Sequence, residues 1–308
     1  MKQYIKDTYL VLLGIFMAAT ATAQQDPQYT QYMYNTMTVN PAYAGSTGGL
    51  DATLLHRSQW TGIDGAPQTQ SLTVHSPIRN EQMGLGLSIV NDKLGPSNEL
   101  YFEGNFSYIL SLAQDHKLAL GLKAGGRMLN IDWTKGRYYD KTDALLNSNI
   151  DNKIKPSLGA GVLYYSEKWY VGVSVPSFLQ GDYYDDIQES VTTERLHYFF
   201  MGGYVFDVSD GLKFKPAFLV KAVSGAPLTA DISANFLLAE KVTLGASYRY
   251  DDSVSALAGF QISSGLYLGY AFDYTTTRLN KYADGSHEFI LRFQILSKSK
   301  QIKSPRFF

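Results

Sequence analysis

Glu288-Phe289-Ile290-Leu291-Arg292-Phe293-Gln294-Ile295 alternates polar or charged residues with bulky apolar ones. In an extended strand neighbouring side chains point to opposite faces, so Phe289, Leu291, Phe293 and Ile295 share one side and Glu288 and Arg292 the other. The separation recurs along the chain. Leu118, Leu120 and Leu122 oppose Lys117, Lys123 and Arg127; Phe214, Pro216, Phe218 and Val220 oppose Lys213, Lys215 and Lys221, with Leu219 breaking the pattern. Val242, Leu244 and Tyr248 oppose Lys241 and Arg249, and Leu266, Leu268, Tyr270 and Phe272 oppose Asp273. One face of each strand is kept clear of charge. A Lys or Arg turned toward the middle of a bilayer costs about 2–4 kcal/mol, so a lipid-facing surface requires this segregation.

Working outward from these strands, the chain from Gly48 divides into about fourteen segments of alternating polarity, each near the length of a tilted membrane strand. They cover 48–60, 68–78, 82–91, 98–111, 115–129, 156–166, 168–176, 194–206, 211–222, 228–238, 240–250, 253–262, 264–274 and 286–297. The predicted fold is all-β, a transmembrane antiparallel up-and-down β-barrel of about fourteen strands. A soluble sandwich or lipocalin-like barrel shows the same alternation with its apolar side inward. Yet a closed sheet of about fourteen strands encloses a lumen too wide for side chains to fill, and the face opposite the apolar one carries Gly, Ser, Asn and charge. Trp60, Tyr108, Tyr164, Trp169, Tyr248, Tyr250 and Tyr274 fall near strand ends, where interfacial girdles lie.

Connection lengths give a second reading, because outer-membrane barrels have short periplasmic turns and longer external loops. Short links at 78–81, 166–168, 207–210, 239–240 and 263–264 alternate with long ones around 130–155, 176–193 and 275–285. An even strand number leaves both termini in the periplasm. On the lumen side, Lys117, Lys123, Arg127, Lys213, Lys215, Lys221, Lys241, Arg249 and Arg292 outnumber Asp51, Glu103, Asp231, Asp273 and Glu288. Such a lumen favours an acidic cargo segment.

The 308 residues carry a net charge of -1, without the basic excess of a nucleic-acid-binding domain. Aromatics at 14%, Tyr 23 and Gly 27 suit a strand-rich protein. Cysteine is absent, which excludes disulfides and thiolate metal sites. At the N-terminus, Lys2 and Lys6 precede the apolar run Leu10 to Ala19, and Ala21-Thr22-Ala23 offers a signal-peptidase site. A membrane-anchoring helix needs about 20 apolar residues, more than this run supplies. The expected division is therefore signal peptide 1–23, N-terminal periplasmic or plug segment 24–47, barrel 48–297 and C-terminal periplasmic tail 298–308. The plug segment lacks strand alternation and carries Tyr29, Tyr32, Tyr34 and Tyr43, which suits a cap on the periplasmic mouth better than a loose linker.

Two stretches go beyond a generic barrel: Gln25-Asp26-Pro27-Gln28-Tyr29-Thr30-Gln31-Tyr32-Met33-Tyr34, continuing to Asn40-Pro41-Ala42-Tyr43-Ala44-Gly45, and Arg57-Ser58-Gln59-Trp60-Thr61-Gly62-Ile63-Asp64-Gly65-Ala66-Pro67. With Phe214 to Lys221 and the terminal Ser304-Pro305-Arg306-Phe307-Phe308, they resemble the PorP/SprF family over nearly the whole chain. Members of that family are outer-membrane components of the type IX secretion system of Bacteroidetes, and several accompany gliding or surface-adhesin genes. The resemblance implies a barrel that helps secrete or hold at the surface a large cargo bearing a C-terminal sorting domain. Its other implied partners are periplasmic motor or ring components, a peptidoglycan-linked protein and outer-membrane lipid.

Candidate partner-binding residues are Arg57, Gln59, Trp60, Gly62, Asp64 and Pro67 around one external loop, Tyr32, Asn40 and Pro41 in the N-terminal segment, and Lys215 and Lys221 on a strand. The loop residues also suit a turn with no further role. No catalytic, cofactor or metal site is legible: His56, His75, His116, His197 and His287 are scattered, with no two at metal-ligand spacing. The acidic aromatic loop 181–186 reads as a solvated external tip ahead of a cation or partner contact. A passive porin is the alternative function that the same barrel supports.

Overall fold

Period-two alternation becomes fifteen strand segments in the computed structural model, which describes residues 27–78, 81–113, 115–136, 149–179, 195–223 and 226–296. The expected signal peptide, the acidic loop 181–186 and the tail 298–308 lie outside the described residues. The segments are β1 (Gly49–Ser58), β2 (Gln68–Ile78), β3 (Met83–Leu94), β4 (Ser97–Ser111), β5 (Lys117–Ile131), β6 (Ile150–Tyr165), β7 (Trp169–Val175) and β8 (His197–Tyr204). They continue as β9 (Phe206–Ser209), β10 (Leu212–Val223), β11 (Thr229–Leu238), β12 (Val242–Arg249), β13 (Ser253–Ser263), β14 (Leu266–Thr275) and β15 (Ser286–Leu296). Only Val205 separates β8 from β9, and both pair with β10, so they are two parts of one barrel strand. Every strand runs antiparallel to its chain neighbours, and β15 pairs with β1 from Gly49↔Leu296 to Ser58↔His287. That pairing closes a fourteen-stranded barrel and leaves no long sheet edge open.

The strand ends joined by links 79–82, 112–116, 166–168, 210–211, 239–241 and 264–265 lie at one end of the barrel. The strand ends joined by the four longest links, 59–67, 132–149, 176–196 and 276–285, all lie at the other, with those joined by the short links 95–96, 224–228 and 250–252. These are called the short-turn end and the long-loop end.

The burial pattern is the inverse of a soluble protein's. In β4, Phe102, Phe106 and Tyr108 point outward and are exposed, while Tyr101, Glu103, Asn105, Ser107 and Ile109 point inward and are buried. Leu122 is 62% exposed and its neighbour Lys123 only 3%; Ile232 is 59% exposed beside Asp231 at 2%. Leu54, Leu85, Leu158, Phe200, Leu244, Leu268 and Phe293 continue the outward apolar belt. Such a surface is stable against hydrocarbon and not against water. Aromatics edge the belt, with Tyr248, Tyr250 and Tyr274 toward the long-loop end. At the short-turn end Trp169 packs edge-on against Tyr164 (5.0 Å), whose hydroxyl bonds His116 (3.1 Å). Leu122→Lys should therefore destabilise the folded barrel by about 2–4 kcal/mol, read from denaturant titrations of folding into lipid vesicles. An unchanged midpoint would remove this face from the bilayer.

Inside, much of the wall packs against protein. Leu55, Ile109, Ala119, Leu163, Tyr165, Tyr170, Phe199, Met201, Leu219, Tyr267 and Ile290 turn inward and form one apolar core with Tyr29, Tyr32, Met33, Tyr34, Met37, Val39, Ala42, Tyr43 and Ala44. Leu219 breaks the alternation because it packs in this internal core instead of lining an aqueous lumen.

Candidate functional site

The segment that precedes β1 crosses the lumen along its length. Two short 3-10 turns, Thr36–Thr38 and Pro41–Tyr43, give it a compact, coiled path. Asn40 caps the second turn by accepting the Ala42 N–H (3.0 Å), and Pro41 at its first position has no N–H to leave unpaired.

Its contacts run in order down the barrel. Nearest the long-loop end, Gln28 donates to Asp231 (2.7 Å), which also receives Arg249 (2.8 Å). Next, the backbone N–H groups of Thr30 and Gln31 donate to the two carboxylate oxygens of Glu288 (2.9 and 2.8 Å). Arg57 spans that carboxylate (2.9 Å), Asp273 (2.7 Å) and the Thr30 hydroxyl (2.9 Å). Midway, Asn35 donates to Ser71 (3.0 Å) and accepts from Thr73 (3.2 Å), and Lys123 donates to the Thr38 carbonyl (3.0 Å) while pairing with Glu103 (2.8 Å). Toward the short-turn end, Asn40 donates to the Val162 carbonyl (3.1 Å), Ser107 to the Ala44 carbonyl (2.6 Å), and the Gly45 N–H to His75 (3.2 Å). Backbone that leaves secondary structure is thus satisfied by lumen side chains, as burial demands.

Close approach is built into the wall. A Cβ on Gly121 would lie 2.1 Å from the Ala42 nitrogen, and one on Gly84 would lie 2.2 Å from the Ala44 carbonyl oxygen.

Above the segment, at the long-loop end, lies a vestibule of about 590 Å³. Pro27 and Gln28 form part of its lining, with Gln59, Trp60, Pro67, Arg195, Leu228 and Tyr250 around it. Arg127 and Arg249, with Asp92, Glu99, Asp251 and Asp252, give it both signs of charge. Loop 59–67 is pinned on both flanks: the Thr61 N–H donates to the Gly285 carbonyl (2.8 Å), the Asp284 N–H to the Thr61 carbonyl (2.7 Å), and the Gly95 N–H to the Gly65 carbonyl (2.9 Å). Trp60 holds φ 46° with its N–H on Ser286 (3.1 Å), a conformation that the clamp maintains. On link 132–149, the Thr134 hydroxyl (2.6 Å) and Lys135 (3.0 Å) hold the Asp132 carboxyl below its usual range.

The predicted partner-binding residues therefore separate into two groups. Gln59, Trp60 and Pro67 line the vestibule, and Gly62 and Asp64 are exposed on the same loop. Arg57, Tyr32, Asn40, Pro41, Lys215 and Lys221 are buried inside the barrel and do not line the vestibule. Lys215 stands over Tyr34 and Tyr170 at 5.7 and 5.9 Å, a cation–π contact between wall and segment. Arg57, Lys123, Arg249 and Arg292 are each matched by Asp or Glu within 3 Å, and the interior is filled by protein. Missed at the level of sequence were Glu288 and Asp273 as a clamp and the two glycines as a bed. The signal was a cross-strand pairing of opposite charges, Arg57↔Glu288 and Asp231↔Arg249, visible only once register is known.

Fold and interior frame the comparison with known proteins. The model of the family described as "Type IX secretion system membrane protein PorP/SprF" matches residues 21–293. The chain belongs to the PorP/SprF family. Its match includes the lumen segment and nearly all of the barrel, so the filled interior lies within the region this PorP/SprF protein shares with its family. Among curated proteins there is no match. Solved structures resemble it in fold. The CymD monoaromatic hydrocarbon channel has a TM-score of 0.53 at 10% identity, covering 86% of this chain and 93% of its own. The Ralstonia pickettii toluene transporter TbuX has a TM-score of 0.52 at 11% identity, covering 85% and 93%. A closed barrel with an outward apolar belt, in a family of secretion-system membrane proteins, is an outer-membrane protein.

Proposed function

We propose that this PorP/SprF protein works without catalysis, helping to secrete or to hold at the cell surface a large cargo with a C-terminal sorting domain. In this reading the cargo meets the long-loop vestibule, through Gln59, Trp60, Asp64 and Pro67. The short-turn end faces the periplasmic motor or ring components and a peptidoglycan-linked partner. The observation that carries it is the filled lumen: Met33, Met37, Leu55, Leu163 and Ile290 are each no more than 1% exposed, so segment and wall touch without a water layer between them. A barrel built around its own chain is suited to holding a partner at its mouth more than to passing solutes through its middle. For the same reason the passive porin, and a small-molecule route of the kind named for CymD and TbuX, are the weaker readings.

Deleting the gene and cataloguing surface proteins tests the proposal. Loss of one or a few large sorting-domain proteins from the surface is expected, with their accumulation inside the envelope. An unchanged surface catalogue would sink it.

A further inference from the structure

Pro27 and Gln28 line the vestibule at the long-loop end, whereas Gly49 opens β1 at the short-turn end opposite Leu296. Between them the segment touches Glu288 and Asp273 first, Ser71 and Thr73 next, and Val162, Ser107 and His75 last. This is a one-way descent through the barrel, not a loop that enters and leaves by the same mouth. We infer that the mature chain crosses the outer membrane once more inside its own lumen, entering it from the external mouth, where Pro27 and Gln28 form part of the surface a secreted polypeptide meets. The partner clause rests on the function proposed above; the topology does not.

Chain length makes the geometry restrictive. With cleavage after Ala23, residues 24–26 precede Pro27 and reach at most about 10 Å, well short of the roughly 25 Å apolar band they would have to recross. The even strand number fixes the end of β15 on the short-turn side, but the internal segment adds an odd crossing, so the two ends of the chain part company.

The chain has no cysteine, so single substitutions report location directly. Gln25→Cys is compared with Tyr250→Cys on the exposed β12–β13 link and with Leu112→Cys on an exposed short turn. Intact cells are treated with a membrane-impermeant maleimide before and after permeabilisation of the outer membrane. Gln25→Cys should label on intact cells as fully as Tyr250→Cys, while Leu112→Cys labels only after permeabilisation. A Gln25→Cys chain that stays unlabelled on intact cells while Tyr250→Cys reacts overturns the topology. An epitope placed after Ala23 and read by antibody on intact cells locates the N-terminus independently, should the cysteine variant fold poorly. For the partner clause, a bulky maleimide polymer on Gln25→Cys should lower display of newly made cargo. Unaltered display overturns that clause alone and leaves the labelling result standing.

Discussion

Current through a planar bilayer should rise by about an order of magnitude or more when the N-terminal segment is driven out of the lumen, because a fourteen-stranded barrel is too wide for its own wall to seal. The doubly substituted Gly84→Leu, Gly121→Leu chain is the direct way to do this. At both positions the atom that a Cβ would meet belongs to the segment's backbone, Ala44 oxygen at 2.2 Å and Ala42 nitrogen at 2.1 Å, and backbone cannot swing aside as a side-chain tip can. The wall itself is anchored by pairing on both sides of each strand, β3 to β2 and β4, β5 to β4 and β6. The segment must therefore yield. Gly104→Leu is the matched control, since its Cβ would point outward with nothing nearer than 3.7 Å. Should the double variant fold and still conduct no more than Gly104→Leu, the segment is not what closes the barrel.

The strands are readable because each answers to two solvents at once. Hydrocarbon outside admits no charge, and the inner face alternates with it, so β2 spans 68–78 as expected and the other strands begin or end within a few residues of their predicted limits. The exception is β6, expected from 156 and found from Ile150. Its first turns carry exposed Asp151 and Asn152, beyond the apolar belt, where nothing forces the outer face to be apolar and the alternation fades. The site is much less legible. Arg57 stands out in the sequence, yet its partners Asp273 and Glu288 lie more than two hundred residues away, and no local pattern joins them. Lys123 and Arg249 meet Glu103 and Asp231 across neighbouring strands, pairings that only the register makes visible. Tyr29 to Tyr43 announce burial by composition but carry no period, so they indicate a plug without giving its depth or direction.

Arg57→Ala is expected to lower the stability of the folded barrel by about 3–5 kcal/mol, the usual consequence of stripping one partner from a buried ion pair. Glu288 is fully buried and Asp273 nearly so, and Arg57 at 2.9 and 2.7 Å is the cation that reaches both. Without it two carboxylates face each other in the interior, although the Thr30 and Gln31 N–H groups still bind one of them. Arg57→Lys keeps the charge but loses the planar fork that spans two acids and the Thr30 hydroxyl, so an intermediate loss follows. The two acids should be unequal as rescuers. Adding Glu288→Gln to Arg57→Ala removes the most buried charge while keeping an oxygen for one backbone donor, and should recover part of the deficit. Denaturant midpoints in lipid vesicles for the single and double variants supply the coupling energy. Coupling near zero would mean that Arg57 acts through the packing of its stem and not through charge. The clamp would then not be what fixes the upper part of the segment, and conductance of the Arg57→Ala chain should stay at the native level instead of rising with the loss of the latch.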